Sequence, residues 1–299
     1  MNNTSTAPRP QDIAPQALSH QTQRLCRATT PPWLHAEVAT RMAERLAIIK
    51  LQPAKVLQWS AFLGASGAAL AEVYPKAEQV CVEPLPEGAE RSRAQHARGL
   101  LQRLAGRAAV PVVAPAEVSP GQAQLVWSNM ELHAQVDAPG LVAQWHKALA
   151  VDGFVMFSCL GPDSFAELRA LHVRHGWGAA GPEWWDMHDV GDLLVNAGFA
   201  DPVMDQDRIT LTWSEPEKLL RDLRALGGNL SPQRFPGLRG RQWRAAYLDA
   251  LNELRDADGR IKLTLELVQG HAFKPQPKLR VQAQTEVSLD QMREMLKKP

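Results

Sequence analysis

The stretch VLQWSAFLGASG, residues 56–67, has the residue order of a buried strand that turns sharply into a helix packed on a sheet. Turns that bring backbone close to a nucleotide or nucleoside are rich in glycine, because a Cβ blocks the approach and glycine tolerates φ > 0. Here Gly64 and Gly67 remain, while Trp59 and Phe62 occupy the middle of the turn. A dinucleotide turn of the form G-x-G-x-x-G is missing its first glycine in Phe62-Leu63-Gly64-Ala65-Ser66-Gly67, which argues against a nicotinamide dehydrogenase. Metal chemistry has no spacing to support it: the nine histidines are scattered, and Cys26, Cys81 and Cys159 lie far apart. An odd number of separated cysteines suits neither a disulfide framework nor a CxxC metal site, and fits a reducing cytoplasm.

The elements that must position this turn alternate along the chain. KVLQW, EQVCVE, VPVVA, AQLVWS and GFVMFSCL read as short buried strands, separated by helical stretches such as ASGAALAEVY, PEGAERSRAQHARGLLQRLA and APGLVAQWHKALA. Strand and helix in alternation imply right-handed crossovers and a parallel sheet covered on both faces. Ahead of them, TTPPWLHAEVATRMAERLAIIK offers a threonine N-cap and an apolar stripe of Leu34, Val38, Met42, Leu46 and Ile49. Residues 1–30, polar and rich in Pro, Thr and Gln, are expected to be a mobile lead-in. After residue 161 the rhythm changes to two helices, a long bent strand in PVMDQDRITLTW, two amphipathic helices, and a last strand in IKLTLELVQGHAF. The charged tail, 276–299, is expected to be a loose terminal helix.

The chain of 299 residues is long enough for a sizeable core, and its net charge of +1 supplies no field that would draw it to nucleic acid. No stretch interleaves basic and aromatic residues as single-strand binders do, and no apolar run reaches the length of a membrane span. A cytoplasmic protein without nucleic-acid or membrane partners is expected.

A strand-one turn with glycine, followed by an acidic residue ending strand two, resembles the class I S-adenosylmethionine (SAM) methyltransferases. The similarity narrows through YPKAEQVCVEP, LVWSNMELH, LVAQWHKALAVDGFVMFSCLGPDSFAELR, DMHDVGDLLVNAGFADPVMD and IKLTLELVQGHAFKP. Together these look like the malonyl-acyl-carrier-protein O-methyltransferases of biotin synthesis and their mitochondrial complex I assembly relatives, over residues 34 to 275. The resemblance implies an α/β, Rossmann-like fold with a seven-stranded, mostly parallel sheet, its last strand (about 261–271) antiparallel. It also implies one domain over 31–275, with cap helices in 34–50 and 215–255.

The same resemblance assigns site residues. The family pattern V-L-D-x-G-x-G-x-G falls on Val56 to Gly64, so Gly64 keeps the last glycine while Gln58, Ser60 and Phe62 replace three defining residues. Glu83 stands where the family's carboxylate accepts hydrogen bonds from both ribose hydroxyls. The adenine-binding D-A-E triplet reads Pro115-Ala116-Glu117, with Glu117 as a substitute acceptor, and Ser128 and Asn129 match the segment bordering the reacting methyl. Each has a plainer alternative: a tight turn needs glycine with or without a ligand, and a strand-end carboxylate is commonly just solvated. Arg169, His188, Arg221 and Arg224 lie near where this family admits substrate; an arginine fork suits a carboxylate, though an exposed helix face also explains the arginines. Two readings follow: methyl transfer from SAM to a malonyl thioester of acyl carrier protein, or an inactive descendant that binds a partner protein.

Overall fold

The computed structural model describes residues 12–97 and 109–277. Its sheet has seven strands: β1 (Lys55–Trp59), β2 (Glu78–Val82), β3 (Val112–Val113), β4 (Ala123–Ser128), β5 (Leu149–Leu160), β6 (Ala200–Trp213) and β7 (Ile261–Phe273), in the spatial order β3-β2-β1-β4-β5-β7-β6. The first five run parallel, and β7 lies between β5 and β6 and antiparallel to both, as expected. The chain steps outward from β1 to β3, then returns to β4 on the other side of β1. The crevice beyond the carboxyl ends of β1 and β4 is therefore the topological switch point, where open α/β sheets bind ligands.

Period-two alternation sorts each strand's residues between two cores. On one face Leu57, Val126 and Val155 pack against Val142 and Trp145 of α6 (Ala138–Ala148) and Leu193 and Leu194 of α8 (Met187–Asn196). On the other, Val56, Leu125, Trp127 and Phe154 meet Val38 and Met42 of α2 (Trp33–Arg45) and Leu70 of α4 (Gly67–Val73). A third cluster joins α7 (Ala166–Arg174), α9 (Pro216–Leu226) and α10 (Arg241–Leu251) to the start of β7 through Leu171, Leu219, Leu251 and Ile261. These last helices form the cap.

Several expectations need correction. The lead-in is ordered from Pro15 to Arg27 as helix α1, with Leu25 and Cys26 buried. Its polar composition conceals tertiary anchoring: Arg24 donates to the carbonyls of Arg224 (2.8 Å) and Gly227 (2.6 Å), and Arg91 donates to those of Cys26 (3.1 Å) and Arg27 (2.6 Å). Arg91 lies on α5 (Pro86–Gln95), against which α1 packs. At the start of α2 the cap residue is Pro32, with no side-chain cap bond, rather than a threonine. Between β1 and α4 a one-turn helix, α3 (Ala61–Gly64), replaces the expected open turn. The strand expected in VPVVA shortens to two residues. Residues 1–11, the helical expectation for 98–105 and nearly all of the tail (278–299) lie outside the described residues.

Candidate functional site

The turn after β1 carries its strain on residues other than glycine. Ser60 (φ 49°) and Ala65 (φ 53°) are left-handed, whereas Gly64 and Gly67 are not. Such a backbone costs a non-glycine residue on the order of 1–3 kcal/mol, so surrounding contacts must hold it. Phe62 supplies one set, its side chain fully buried (0 % exposed). The Phe62 N–H supplies another, donating to Glu83 Oε1 at 2.7 Å; the same oxygen accepts from Ser92 Oγ at 2.5 Å. Glu83 is 5 % exposed, and burial raises its pKa. Its second oxygen would lie only 2.6 Å from a Cβ on Gly88, so that glycine makes room for the carboxylate.

A second carboxylate, missed in the sequence, closes the switch point. Glu131 Oε1 accepts from Ser60 Oγ (2.8 Å) and Gln135 Nε2 (3.1 Å), and its Oε2 accepts from Ser128 Oγ (2.8 Å). Burial pushes this carboxyl up to about 7. Asn129 spends both amide protons on the carbonyls of His35 (2.7 Å) and Gly64 (2.6 Å), and its Oδ1 accepts from Ser158 Oγ (2.7 Å). His35 in turn bonds the Leu63 carbonyl through Nδ1 at 2.7 Å, and burial lowers its pKa to about 4, so it is neutral and donates there.

Four of the five expected cofactor residues, Gly64, Glu83, Ser128 and Asn129, thus lie beyond β1, β2 and β4, each hydrogen-bonded to or near the turn after β1. Glu117 does not join them; it is exposed and its carboxylate caps its own turn at the Ala114 N–H (2.6 Å). Gln58 also faces away, donating to Gln79 Oε1 on β2 at 2.6 Å. As folded, these residues do not fit SAM. One oxygen of the carboxylate expected for ribose, Glu83 Oε1, is taken by the Phe62 N–H and the Ser92 hydroxyl, and the turn's centre is a buried aromatic side chain.

Beneath the cap the situation is reversed. A cavity of about 370 Å³ runs from the carboxyl ends of β4 and β5 (Met130, His133, Leu160) to the faces of α7, α9 and α10. Four arginines line it, Arg169, Arg224, Arg234 and Arg239, and no lining residue is acidic. None of the four pairs with a carboxylate among the described residues, unlike Arg45, which meets Asp207 at 2.7 Å and also Asp205. Arg169 is braced by the carbonyls of Ser164 (2.6 Å) and Pro162, and Arg239 lies 3.5 Å from the Phe235 ring centroid and 4.8 Å from that of Trp243. Three buried polar atoms on lining residues, His133 Nδ1, Trp184 Nε1 and Trp243 Nε1, have no hydrogen-bond partner among the described residues. Burial lowers the pKa of His133 to about 3, leaving a neutral ring.

Of the expected substrate residues, Arg169 and Arg224 line this cavity. His188 and Arg221 do not: His188 is exposed at the start of α8, where Asp186 caps its backbone, and Arg221 is exposed on α9. Sequence reasoning passed over Arg234, Arg239, Trp177 and Trp184, although the aromatic and arginine density of GWGAAGPEWW and RFPGLRGRQW was a signal. Among the described residues no group of three or more potential metal ligands occurs, and no helix is long and apolar enough to cross a membrane.

No family model matches the chain. Among solved structures, a candidate methyltransferase from Bacillus halodurans C-125 superposes with a TM-score of 0.53 at 14 % identity, over 79 % of this chain and 99 % of that one. The YcgJ protein of Bacillus subtilis gives a TM-score of 0.53 at 11 % identity, over 81 % and 99 %. At such identities these likenesses speak for the fold alone. Sequence relatives are nearer. A malonyl-[acyl-carrier protein] O-methyltransferase of Gallionella capsiferriformans is 38 % identical over 250 residues, 82 % of this chain and 86 % of the relative. That of Laribacter hongkongensis is 40 % identical over 247 residues, 81 % and 83 %. With the switch-point crevice, the antiparallel β7 and relatives of this similarity over most of both chains, the protein belongs to the malonyl-[acyl-carrier protein] O-methyltransferase family.

Proposed function

We propose that the protein methylates the free carboxylate of a malonyl-type thioester carried by acyl carrier protein, in the manner of biotin synthesis and with SAM as methyl donor. The observation that carries this reading is the acid-free cavity whose four arginines have no carboxylate partner among the described residues, at the carboxyl edge of the sheet in a chain of this family. The acceptor side follows from the residues. Guanidinium groups attract a carboxylate and orient it, and apolar walls keep water from it. The nucleophile is already ionised, so the chain has to align it and needs no general base. Arg169 is suited to this because two carbonyls fix its fork. On the donor side, the closed turn over residues 60–65 has to open before any cofactor can use the family cleft. Three free, buried cysteines accord with a cytoplasmic location.

A second reading, capture of the loaded carrier without methylation, has one specific observation behind it: the Phe62 N–H takes an oxygen of Glu83, the carboxylate expected for ribose. Incubation with malonyl-acyl carrier protein and methyl-labelled SAM separates the two, with the carrier analysed by mass spectrometry and SAM binding followed by calorimetry. A labelled methyl ester on the malonyl group supports the first reading. Retention of the carrier with no ester and no SAM binding supports the second, and failure to retain the carrier at all defeats both.

A further inference from the structure

The loop that braces Arg169 is itself held by a carboxylate on the neighbouring strand. Gly161-Pro162-Asp163-Ser164-Phe165 joins β5 to α7, and Arg169, four positions past Phe165, turns its guanidinium back onto the carbonyls of Pro162 and Ser164. Backbone N–H groups in such a connection must find partners. Glu266 of β7 answers them. Its Oε2 accepts from the Asp163 N–H at 2.6 Å, and its carbonyl accepts from the Gly161 N–H (2.9 Å) and from Ser164 Oγ (2.9 Å). The Glu266 N–H donates to that same Oγ at 3.0 Å. Next to it, the Phe165 N–H donates to the Thr264 carbonyl (2.7 Å), and Phe165 sits at φ 57°, a left-handed conformation that persists only where surrounding bonds over-determine it.

The placement of this carboxylate is specific. Glu266 is 1 % exposed, its Oε1 accepts from Gln206 Nε2 on β6, and it does not line the cavity, whereas its strand neighbour Leu265 does. Burying a carboxylate is costly, so bulk alone does not account for a glutamate at this position. Gly161 makes room for it: a Cβ there would come within 2.6 Å of Oε2 and 2.7 Å of Cγ and Cδ. A glycine, a buried carboxylate and a left-handed phenylalanine thus converge on five residues of loop. The loop's carbonyls in turn fix the fork of an arginine that lines an acid-free cavity.

We propose that Glu266 is a positioning residue for the acyl acceptor: by clamping the 161–165 loop it holds the Arg169 guanidinium where the free carboxylate of a malonyl-type thioester is received. It thereby sets the preference for a carboxylate over an uncharged acyl end. This rests on the reading that the cavity is the acyl-acceptor site. Glu266 itself neither touches the ligand nor exchanges a proton with it. A fork already held in place loses less freedom on pairing than a free one, and that difference is felt only by a ligand that offers a carboxylate.

The test compares two ligands of similar size, malonyl- and butyryl-acyl carrier protein, binding to the full chain by calorimetry, with each variant's fold checked by circular dichroism and melting temperature. The parent should prefer malonyl. Glu266→Ala should weaken malonyl binding by roughly ten- to a hundredfold, the worth of one charge-assisted hydrogen bond, and leave butyryl binding within about twofold. Glu266→Gln should keep the preference, because its amide oxygen still accepts from the Asp163 N–H while its NH2 meets a flipped Gln206 amide. Gly161→Ala should reproduce the malonyl defect by displacing the carboxylate, and should add nothing in a chain that already carries Glu266→Ala. If Glu266→Ala does not fold, the Gly161→Ala result decides in its place. A malonyl preference that survives both substitutions, or malonyl and butyryl binding lost in equal measure, means that Glu266 serves the fold alone and overturns the positioning role while the acyl-site reading stands. A parent that binds both ligands equally, or neither, overturns that reading and the proposal with it.

Discussion

At the scale of single residues, Glu131 and Phe62 hold the switch point shut, and each makes a measurable difference. Burial raises the Glu131 carboxyl from 4.5 to about 7, so the folded state favours its protonated form. The stability this group contributes is therefore complete below pH 4.5 and is lost as the pH rises through 7. Glu131→Gln removes that titration. Relative to the parent, the variant should gain up to roughly 3 kcal/mol between pH 5 and pH 8, checked by denaturant unfolding at both pH values. A difference that does not vary with pH would mean that the carboxyl ionises normally in the fold. His35 acts in the opposite sense: its pKa, lowered to about 4, gives a contribution complete above pH 6.5 and lost as the pH falls toward 4. For Phe62 the expectation concerns ligand. Ser60→Gly with Phe62→Gly relieves the left-handed strain at residue 60 and clears the buried ring, at a stability cost of roughly 3–5 kcal/mol for the lost side chain. In a variant shown to be folded by circular dichroism, SAM should bind at least about tenfold more tightly than in the parent, ~1.4 kcal/mol. Unchanged or weaker affinity would sink the account of a cleft closed from within. Gln58→Asp would not help, because Gln58 is buried with its amide on Gln79 rather than in the cleft.

At the scale of elements, α1 joins the two halves of the site. Its last turn is held by Arg91 on α5, behind Glu83, and its own Arg24 reaches the end of α9 in the cap. Hydrogen bonds from charged donors contribute about 1.5–3 kcal/mol when buried, and these partly exposed ones should contribute about 1 kcal/mol each. Arg24→Ala combined with Arg91→Ala should release α1 while leaving the sheet intact. Hydrogen exchange would then speed up over residues 15–27 and stay slow in β1 and β4. Equal loss of protection in the sheet would show that α1 is part of the central folding unit instead. The helix was invisible to composition because polar side chains anchor it, and its buried residues, Leu25 and Cys26, are only two.

At the scale of the whole molecule, a net charge of +1 means that attraction to an acidic carrier must come from a local face rather than from an overall field. Arg221, Arg224 and Arg241 are exposed on α9 and at the start of α10, two of the helices whose residues line the cavity. Reversing all three to glutamate should weaken carrier capture by roughly tenfold or more at low ionic strength, with the gap closing as salt is added. Binding that is indifferent to the substitutions at every salt concentration would remove this face as the docking surface. Arg221 belongs to this exposed basic face, although it does not line the cavity.

The sequence by itself determined the architecture. Periodicity marked β1 and β4 to the residue, the order of strands and helices implied the parallel sheet, and the late alternation in IKLTLELVQGHAF marked the last strand, whose antiparallel insertion the family resemblance implied. These are legible because side-chain period and crossover handedness are local properties of the chain. It also marked the turn after β1 as departing from the family pattern, since a missing glycine is a missing backbone freedom. Only the tertiary structure decided where polar groups find their partners. Glu83 meets the Phe62 N–H across 21 positions, Glu131 meets Ser60 across 71, and Arg24 meets Arg224 across 200. No local pattern encodes such pairings; they arise when packing brings distant groups out of water together and each must then be satisfied. For the same reason the sequence could nominate Arg169 and His188 alike, and the fold alone set Arg169 in the cavity and left His188 in solvent.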